Sequence, residues 1–266
     1  MRAQSEDLKF LQEASDQTET SPFLNKYSRA TSSPEENPNS GNEELQDMNI
    51  LQAMSTINFW LLFVAMVCAL GSGMATINNI SQMGQSLGYT PKEITSLVSL
   101  WSIWNFLGRF GAGYISDIVL RTKSWARPIF CAITLAAMSV GHIIIAAGFS
   151  GNLYLGSMLV GVCYGSQWSL MPTITSEIFG VKHMGTIFNT IAIASPVGSY
   201  MLSVRVIGYI YDKEAPGNTC FGTHCFMLSF FVMAGVACFG CLVAIALFFR
   251  TRRFYQLVVL KRLQSH

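Results

Sequence analysis

The stretch that decides the fold is GYISDIVLR, residues Gly113–Arg121, which follows one apolar run and precedes another. Its glycine, acid and base recur every fourth residue, so Gly113, Asp117 and Arg121 share one face of a helix or helix end. A glycine allows a neighbouring helix to approach closely. A carboxylate can accept hydrogen bonds from the free N–H groups at another helix's N-terminus. We therefore interpret the stretch as a contact point between helices, with a plain loop and a capping aspartate as the alternative.

Composition divides the chain into a polar part and an apolar part. Of its 266 residues, 51% are apolar and only 12% are charged, whereas soluble domains carry about 25% charged residues. Residues 1–52 hold ten of the fifteen acids but only four bases, and the rest holds five acids and thirteen bases. We expect residues 1–55 to be acidic, largely disordered and cytoplasmic, residues 56–250 to form the membrane domain, and residues 251–266 to form a basic cytoplasmic tail.

Six stretches contain the roughly 20 mostly apolar residues that a helix needs to cross a bilayer. The polar N-terminus has no signal-peptide core, so membrane insertion is expected to depend on these internal stretches. They are, approximately, Ile57–Ile80, Ile94–Ile115, Arg127–Ala147, Leu153–Ser176, Met184–Ile207 and Phe226–Phe249. The predicted fold class is therefore an all-α membrane protein with six transmembrane helices.

Basic residues predict the orientation, because cytoplasmic loops of membrane proteins are enriched in lysine and arginine. With residues 1–56 in the cytoplasm, six crossings return the C-terminus to the same side. The loops on the other side then contain only Lys92 and Lys213. The cytoplasmic segments contain Arg121, Lys123, Arg127, Lys182, Arg250, Arg252, Arg253, Lys261 and Arg262. Both termini are thus expected to be cytoplasmic.

Two of the seven cysteines, Cys220 and Cys225, bound the sequence CFGTHC on the side away from the cytoplasm. A disulfide can form in that environment, and two unpaired thiols are the equally weighted alternative. His224 adds a third potential metal ligand, but no suitably spaced fourth ligand accompanies it. We expect neither a bound metal nor another cofactor.

The chain resembles the major facilitator superfamily, whose cytoplasmic signature G-x-x-x-D-x-x-x-R is matched by Gly113, Asp117 and Arg121, with Lys123 as a further base. It is similar, more closely, to the plant nodulin-like, nuclear-fusion-defective-type branch. The similar segments are GSGMATINNISQMGQSLGY (Gly71–Tyr89), WSIWNFLGRFGAGYISD (Trp101–Asp117), YGSQWSLMPTITSEIFG (Tyr164–Gly180) and GYIYDKEA (Gly208–Ala215). The resemblance implies the C-terminal half of a twelve-helix transporter, preceded by a central cytoplasmic loop at residues 1–52.

The same resemblance implies that the six helices form two inverted repeats of three. GYISD closes the second predicted helix and GYIYD closes the fifth, on opposite sides of the membrane, as inversion requires. Because the cavity of this superfamily lies between two halves, the implied partners are a small solute, the lipid bilayer, and a second half or a second copy of the chain.

We predict a gating cluster of Arg109, Asp117, Arg121 and Glu177 near the ends of the second and fourth helices. Glu177 is expected to pair with Arg121 or Arg109, and Asp117 is expected to lie at the N-terminus of the fifth helix, around residues 183–185. Arg109 lies in the lower part of the second helix, where an unpaired charge is costly. An ion pair, or extension of the side chain to the membrane interface, is therefore preferred for Arg109 over contact with an anionic solute.

Four side chains are candidates for a substrate cavity: Asn79 and Gln82 in the first helix, and Gln167 and Trp168 in the fourth. The resemblance implies that the first helix of each triplet lines the cavity. For Asn79 and Gln82, the alternative is hydrogen bonding between helices or simple exposure at the outer end of the first helix. For Gln167 and Trp168, it is packing between helices around GVCYG (Gly161–Gly165). Pro172 permits a kink close to the second pair.

An enzyme is not expected, because the sequence contains no H-E-x-x-H, G-x-S-x-G or G-x-x-x-x-G-K-[ST] motif. The basic stretch TRRFYQLVVLKRL follows a spanning segment, so lipid head groups rather than nucleic acid are its expected partners. The predicted function is transport of a small solute by alternating access. The alternative is a non-transporting half-size membrane protein, either an accessory subunit or a truncated product.

Overall fold

Thr56 separates a short helix, Ile50–Ser55, from the first long one. Its hydroxyl donates a hydrogen bond to the Ala53 carbonyl at 2.7 Å and accepts one from the Phe59 N–H at 3.3 Å. Because a threonine at this position satisfies a free N–H of the first helical turn, it favours a helix start here. The first long helix thus begins at Ile57, where the apolar pattern predicts it.

The structure is a computed structural model that describes residues 47–123, 125–149, 151–214 and 220–259, and in these ranges the regular elements are helices. Six of them are long: α1 (Ile57–Ser86), α2 (Pro91–Lys123), α3 (Pro128–Ala146), α4 (Asn152–Phe179), α5 (Met184–Glu214) and α6 (His224–Phe254). A π-helical turn, Tyr255–Val259, extends α6. Most of the predicted acidic segment and the end of the basic tail lie outside the described residues.

Four of these helices, α1, α3, α5 and α6, are long and apolar enough to cross a membrane. α2 has sufficient length but carries Arg109, Asp117 and Arg121, and α4 is rich in glycine, serine and threonine. The described chain is therefore all-helical with four candidate membrane spans, and the predicted number of six crossings stays a prediction.

The signature stretch lies within α2, which runs on to Lys123. The helix therefore continues beyond the predicted end near Ile115, and the signature is helical rather than a plain loop.

Helix α5 is irregular. Its first regular segment ends at Ala192, four residues before Pro196. Since a proline ring clashes with the carbonyl four residues earlier, Pro196 explains why the regular helix is interrupted there. A π-helical segment, Tyr200–Gly208, follows.

Helix packing places α1 and α4 at the centre of the bundle. α1 packs against α5, α6 and α4, whereas α4 packs against α2, α3 and α1, and α3 also packs against α6. Two crossings are so close that only glycine fits. An added Cβ on Gly71 of α1 would lie 2.6 Å from the Gly198 Cα of α5, and one on Gly108 of α2 would collide with the Val162 carbonyl of α4.

Consecutive long helices run in opposite directions, and we call the end of the bundle where α1 begins the basal end. Contacts between termini show which ends meet there. The Met48 N–H donates to the Phe179 carbonyl at the end of α4, at 3.0 Å. The Arg250 Nε of α6 donates to the Asn58 Oδ1 of α1 at 2.8 Å. The ends of α2, α4 and α6 therefore meet the starts of α1, α3 and α5 at the basal end.

Candidate functional site

Arg127, immediately before α3, is the centre of a charged cluster at the basal end. Its Nη2 lies 2.6 Å from the Asp117 Oδ1 of α2, and its Nη1 donates to the Ser116 hydroxyl at 2.8 Å. Its Nε donates to the Glu177 Oε1 of α4 at 2.6 Å. One guanidinium group therefore joins α2, the start of α3 and the end of α4.

Tyr255 adds α6 to the same cluster. Its hydroxyl donates to the second carboxylate oxygen of Glu177, Oε2, at 2.8 Å, and the tyrosine side chain is fully buried. Both oxygens of Glu177 are thus bound by donors from different helices. We call Ser116, Asp117, Arg127, Glu177 and Tyr255 the basal cluster.

The basal cluster is partly withdrawn from water. The side chain of Arg127 is 8% exposed and that of Glu177 is 15% exposed, whereas Asp117 is 57% exposed. Burial lowers the pKa of the Arg127 guanidinium, but the carboxylates of Glu177 and Asp117 raise it by more, so its pKa lies above the ordinary value. A buried charge that loses its partner is strongly destabilising, so these ion pairs tie the helix ends together.

The predicted pairing within the gating cluster is wrong. Glu177 pairs with Arg127 and not with Arg121 or Arg109. Arg121 is exposed, and no described carboxylate lies within ion-pair distance of it. Arg109 is also exposed, and its Nε donates to the Asn105 Oδ1 one turn earlier at 2.8 Å. The side chain of Lys123 lies outside what the structure describes.

A carboxylate does bind backbone N–H groups in the turn just before α5, but it is not that of Asp117 as predicted. The Asp47 Oδ1 accepts hydrogen bonds from the backbone N–H groups of Val181 and Lys182, at 3.0 and 3.3 Å. Gly180 has a φ of +89° and contacts Asp47 so closely that a Cβ would collide with it. The segment before α1 therefore occupies the position that the sequence assigns to Asp117.

Gly113 faces α4, as close approach of helices requires, but the approach is not extreme. A Cβ at Gly113 would lie 3.1 Å from the Ser169 hydroxyl. On the same helix, Gly108 and the Asn105 carbonyl approach α4 more closely, since they contact the Val162 carbonyl and Gly165 respectively. The tightest contact of α2 with α4 thus lies closer to the start of α2 than the signature stretch Gly113–Arg121 does.

Gln167 does not face a cavity, contrary to the prediction. It is fully buried, and its Nε2 donates to the Thr134 hydroxyl at 2.7 Å and to the Cys131 carbonyl at 3.1 Å. Its Oε1 accepts from the Cys131 thiol at 3.1 Å. These partners all belong to α3, so the side chain of Gln167 connects α4 to α3.

Trp168 lies on a different side of α4, towards α2. The Arg109 Cζ lies 5.6 Å from the centre of its indole ring, within the range of a cation–π contact. Its Nε1 is buried and has no hydrogen-bond partner among the described residues. Arg109, Asn105 and Trp168 together form a polar surface midway along α2 and α4.

The two candidates of α1 differ in their contacts. Asn79 is half-buried, and its Nδ2 donates to the Ser203 hydroxyl of α5 at 2.7 Å and to the Ala75 carbonyl at 2.8 Å. Gln82 is half-buried as well, and its side chain makes no hydrogen bond to the described part of the chain. Their assignment to a cavity stays a prediction.

A disulfide joins Cys220 and Cys225, whose Cα atoms are 5.9 Å apart, in the connection between α5 and α6. The two sulfur atoms and a ring nitrogen of His224 lie within 4.8 Å of one another. Metal binding needs deprotonated thiols, and disulfide-bonded sulfurs do not supply them.

Four residues of the basal end were not predicted from the sequence: Ser116, Arg127, Tyr255 and Asp47. Arg127 does carry a signal, because Pro128 favours a helix start at that position, which places Arg127 in the short connection between α2 and α3. Tyr255 and Asp47 carry no comparable local signal, since their partners lie 78 and 134 residues away in sequence.

Long apolar helices with ion pairs gathered at one end of the bundle define a multi-pass helical membrane protein. The chain belongs to the family of the NFD4 C-terminal domain, whose model matches residues 44–257. The predicted resemblance to the nuclear-fusion-defective-type branch is thereby confirmed.

Two relatives show how much of a longer protein this match represents. Protein NUCLEAR FUSION DEFECTIVE 4 from Arabidopsis thaliana is 26% identical over 213 residues, which cover 76% of this chain and 36% of that protein. Probable transporter MCH1 from Candida glabrata is 24% identical over 188 residues, which cover 65% of this chain and 38% of that protein. The chain thus spans well under half the length of these relatives.

Proposed function

We propose that this chain is the C-terminal half of a major facilitator transporter that moves a small solute by alternating access. The observation that carries the proposal is the basal cluster, in which Arg127 ties α2 to α4 across the start of α3. Ion pairs at helix ends can be broken and remade without disturbing the apolar core. The name of the Candida relative, probable transporter MCH1, is consistent with this function.

The packing pattern supports two three-helix repeats. Exchanging α1, α2 and α3 with α4, α5 and α6 converts the α1–α5 contact into the α4–α2 contact, and the α1–α6 contact into the α4–α3 contact. The α3–α6 and α1–α4 contacts are converted into themselves. The glycine crossings follow the same rule, since Gly71 of α1 meets α5 and Gly165 of α4 meets α2. This symmetry favours six membrane crossings, including α2 and α4.

In this proposal α2 is the helix that moves. It packs mainly on α4, and the Asp117–Arg127 pair holds its basal end. Arg109 lies eight residues before Asp117, or about 12 Å along the helix at about 1.5 Å per residue. Its exposed guanidinium beside Trp168 is suited to an anionic solute, with Asn79 and Gln82 as further candidates on α1. Positively charged residues at the basal end favour a cytoplasmic location for both termini.

The experiment is an uptake screen with the longest transcript that contains this sequence, which also reveals whether six further apolar segments precede it. Labelled organic anions, amino acids, sugars and metal complexes are supplied to cells that produce the wild type, Arg127→Gln or Arg121→Gln at equal membrane levels. We expect uptake of one class, lost in Arg127→Gln and kept in Arg121→Gln. If the uptake of all four solute classes stays at the level of cells without the protein, the non-transporting half-size protein would be favoured.

A further inference from the structure

A cavity of about 140 Å³ opens at the basal end between α1, α4 and α6. One wall is apolar and consists of Met48, Ile178, Phe179 and Phe254. The opposite side carries Asn58 and Arg250. Since a water molecule occupies about 30 Å³ in the liquid, the cavity has room for a group the size of a tetrahedral oxyanion.

Arg250 is held at this cavity with most of its hydrogen-bonding capacity free. Its Nε donates to the Asn58 Oδ1 at 2.8 Å, which fixes the plane of the guanidinium. Neither Nη1 nor Nη2 has a hydrogen-bond partner in the part of the chain that the structure describes. Two such nitrogens in one plane are arranged to bind two oxygens of a phosphate group.

The described acids of the basal end do not neutralise Arg250. Asp47 binds the backbone N–H groups of Val181 and Lys182. Asp117 and Glu177 are both bound to Arg127. Among the described residues, no carboxylate therefore competes with an anionic ligand for Arg250.

Exposed apolar side chains are found close in sequence to Asn58 and Arg250, on the same two helices. Trp60 on α1 is 50% exposed, two residues after Asn58, and Phe249 on α6 is 64% exposed, directly before Arg250. The helix ends that carry Asn58 and Arg250 thus also carry exposed apolar side chains. Tryptophan near a helix start is also typical of the membrane–water interface.

We propose that this cavity binds the phosphate of an anionic phospholipid, with Arg250 as the main contact and Asn58 as its positioning residue. The apolar wall of Met48, Ile178, Phe179 and Phe254 receives the glycerol and upper acyl chain. The bound lipid would contact Phe254 and Ile178, which adjoin Tyr255 and Glu177 in sequence.

The test is lipid binding by the purified full chain in a neutral detergent. Phosphatidylglycerol, phosphatidylcholine or inorganic phosphate is titrated at equal phosphorus concentration, and the rise in melting temperature gives an apparent dissociation constant. We expect binding of phosphatidylglycerol that Arg250→Gln weakens about tenfold, since a hydrogen bond to a charged group is lost. The control is Arg253→Gln, an exposed arginine one turn away that does not line the cavity, for which we expect less than a twofold change.

A second variant keeps the proposal testable if Arg250→Gln does not fold. Met48→Phe fills the cavity but keeps Arg250, and it should weaken phosphatidylglycerol binding while the unliganded melting temperature is maintained. Equal losses in Arg250→Gln and Arg253→Gln would overturn the proposal in favour of general surface charge. Equal binding of inorganic phosphate, dependent on Arg250, would overturn the lipid assignment in favour of a soluble phosphate compound.

Discussion

The Arg127 Nε and the Glu177 Oε1, separated by 50 residues in sequence, lie 2.6 Å apart in the buried part of the basal cluster. The same guanidinium binds Asp117, and the same carboxylate binds Tyr255. The signature acid of α2 is therefore connected through one arginine to α4 and α6.

Replacing Arg127 should destabilise the bundle far more than replacing Arg121. Arg127→Gln leaves the buried Glu177 without its cationic partner, so we expect a loss of about 3 kcal/mol in the free energy of unfolding. Arg121→Gln alters an exposed side chain and should stay within about 0.5 kcal/mol of the wild type. Unfolding of the purified protein in detergent measures both values. Similar losses in the two variants would contradict the central position of Arg127.

Removing one hydroxyl group tests the connection between α6 and the basal cluster. Tyr255→Phe keeps the buried ring but leaves the Glu177 Oε2 without its donor, so we expect a loss of about 2 kcal/mol. Tyr209→Phe is the control, because Tyr209 is 69% exposed. Circular dichroism during thermal unfolding compares the two variants. An unchanged Tyr255→Phe protein would show that the hydrogen bond contributes nothing measurable.

Two glycines of α2, three residues apart, should respond to alanine in opposite ways. A Cβ on Gly108 collides with the Val162 carbonyl of α4, so Gly108→Ala should destabilise the protein by about 2 kcal/mol. A Cβ on Gly111 meets no atom within 4 Å, so Gly111→Ala should stabilise the helix by up to about 1 kcal/mol. The melting temperatures of both variants test these opposite effects. A Gly108→Ala protein as stable as the wild type would argue against the close α2–α4 crossing.

Two glutamines distinguish a packing role from a cavity role. Gln167→Ala removes a buried amide and its three contacts with α3, so we expect a loss of about 3 kcal/mol in stability. Gln82→Ala, at a half-buried site on α1, should stay within about 0.5 kcal/mol of the wild type. If Gln167→Ala kept full stability and only lowered uptake, Gln167 would be a cavity residue after all.

Much of the architecture could be predicted from the sequence, because it depends on local composition. Runs of apolar residues specify the long helices, and α1 begins at Ile57 as predicted. The polarity of α2 is local as well, and it explains why that helix differs from the apolar ones. The four-residue spacing of Gly113, Asp117 and Arg121 correctly indicated a helical face. Family membership follows from the same segments.

The sequence by itself therefore determined a helical membrane protein with charges gathered near the ends of its helices, since helix formation and membrane insertion depend on neighbouring residues. Only the tertiary structure decided which charges meet. The pairing of Glu177 with Arg127, the position of Asp47 at the start of α5 and the burial of Gln167 against α3 all depend on how helices cross. A side chain reaches only a few ångströms, so small differences in helix position and rotation select Arg127 over Arg121 as the partner of the same acid.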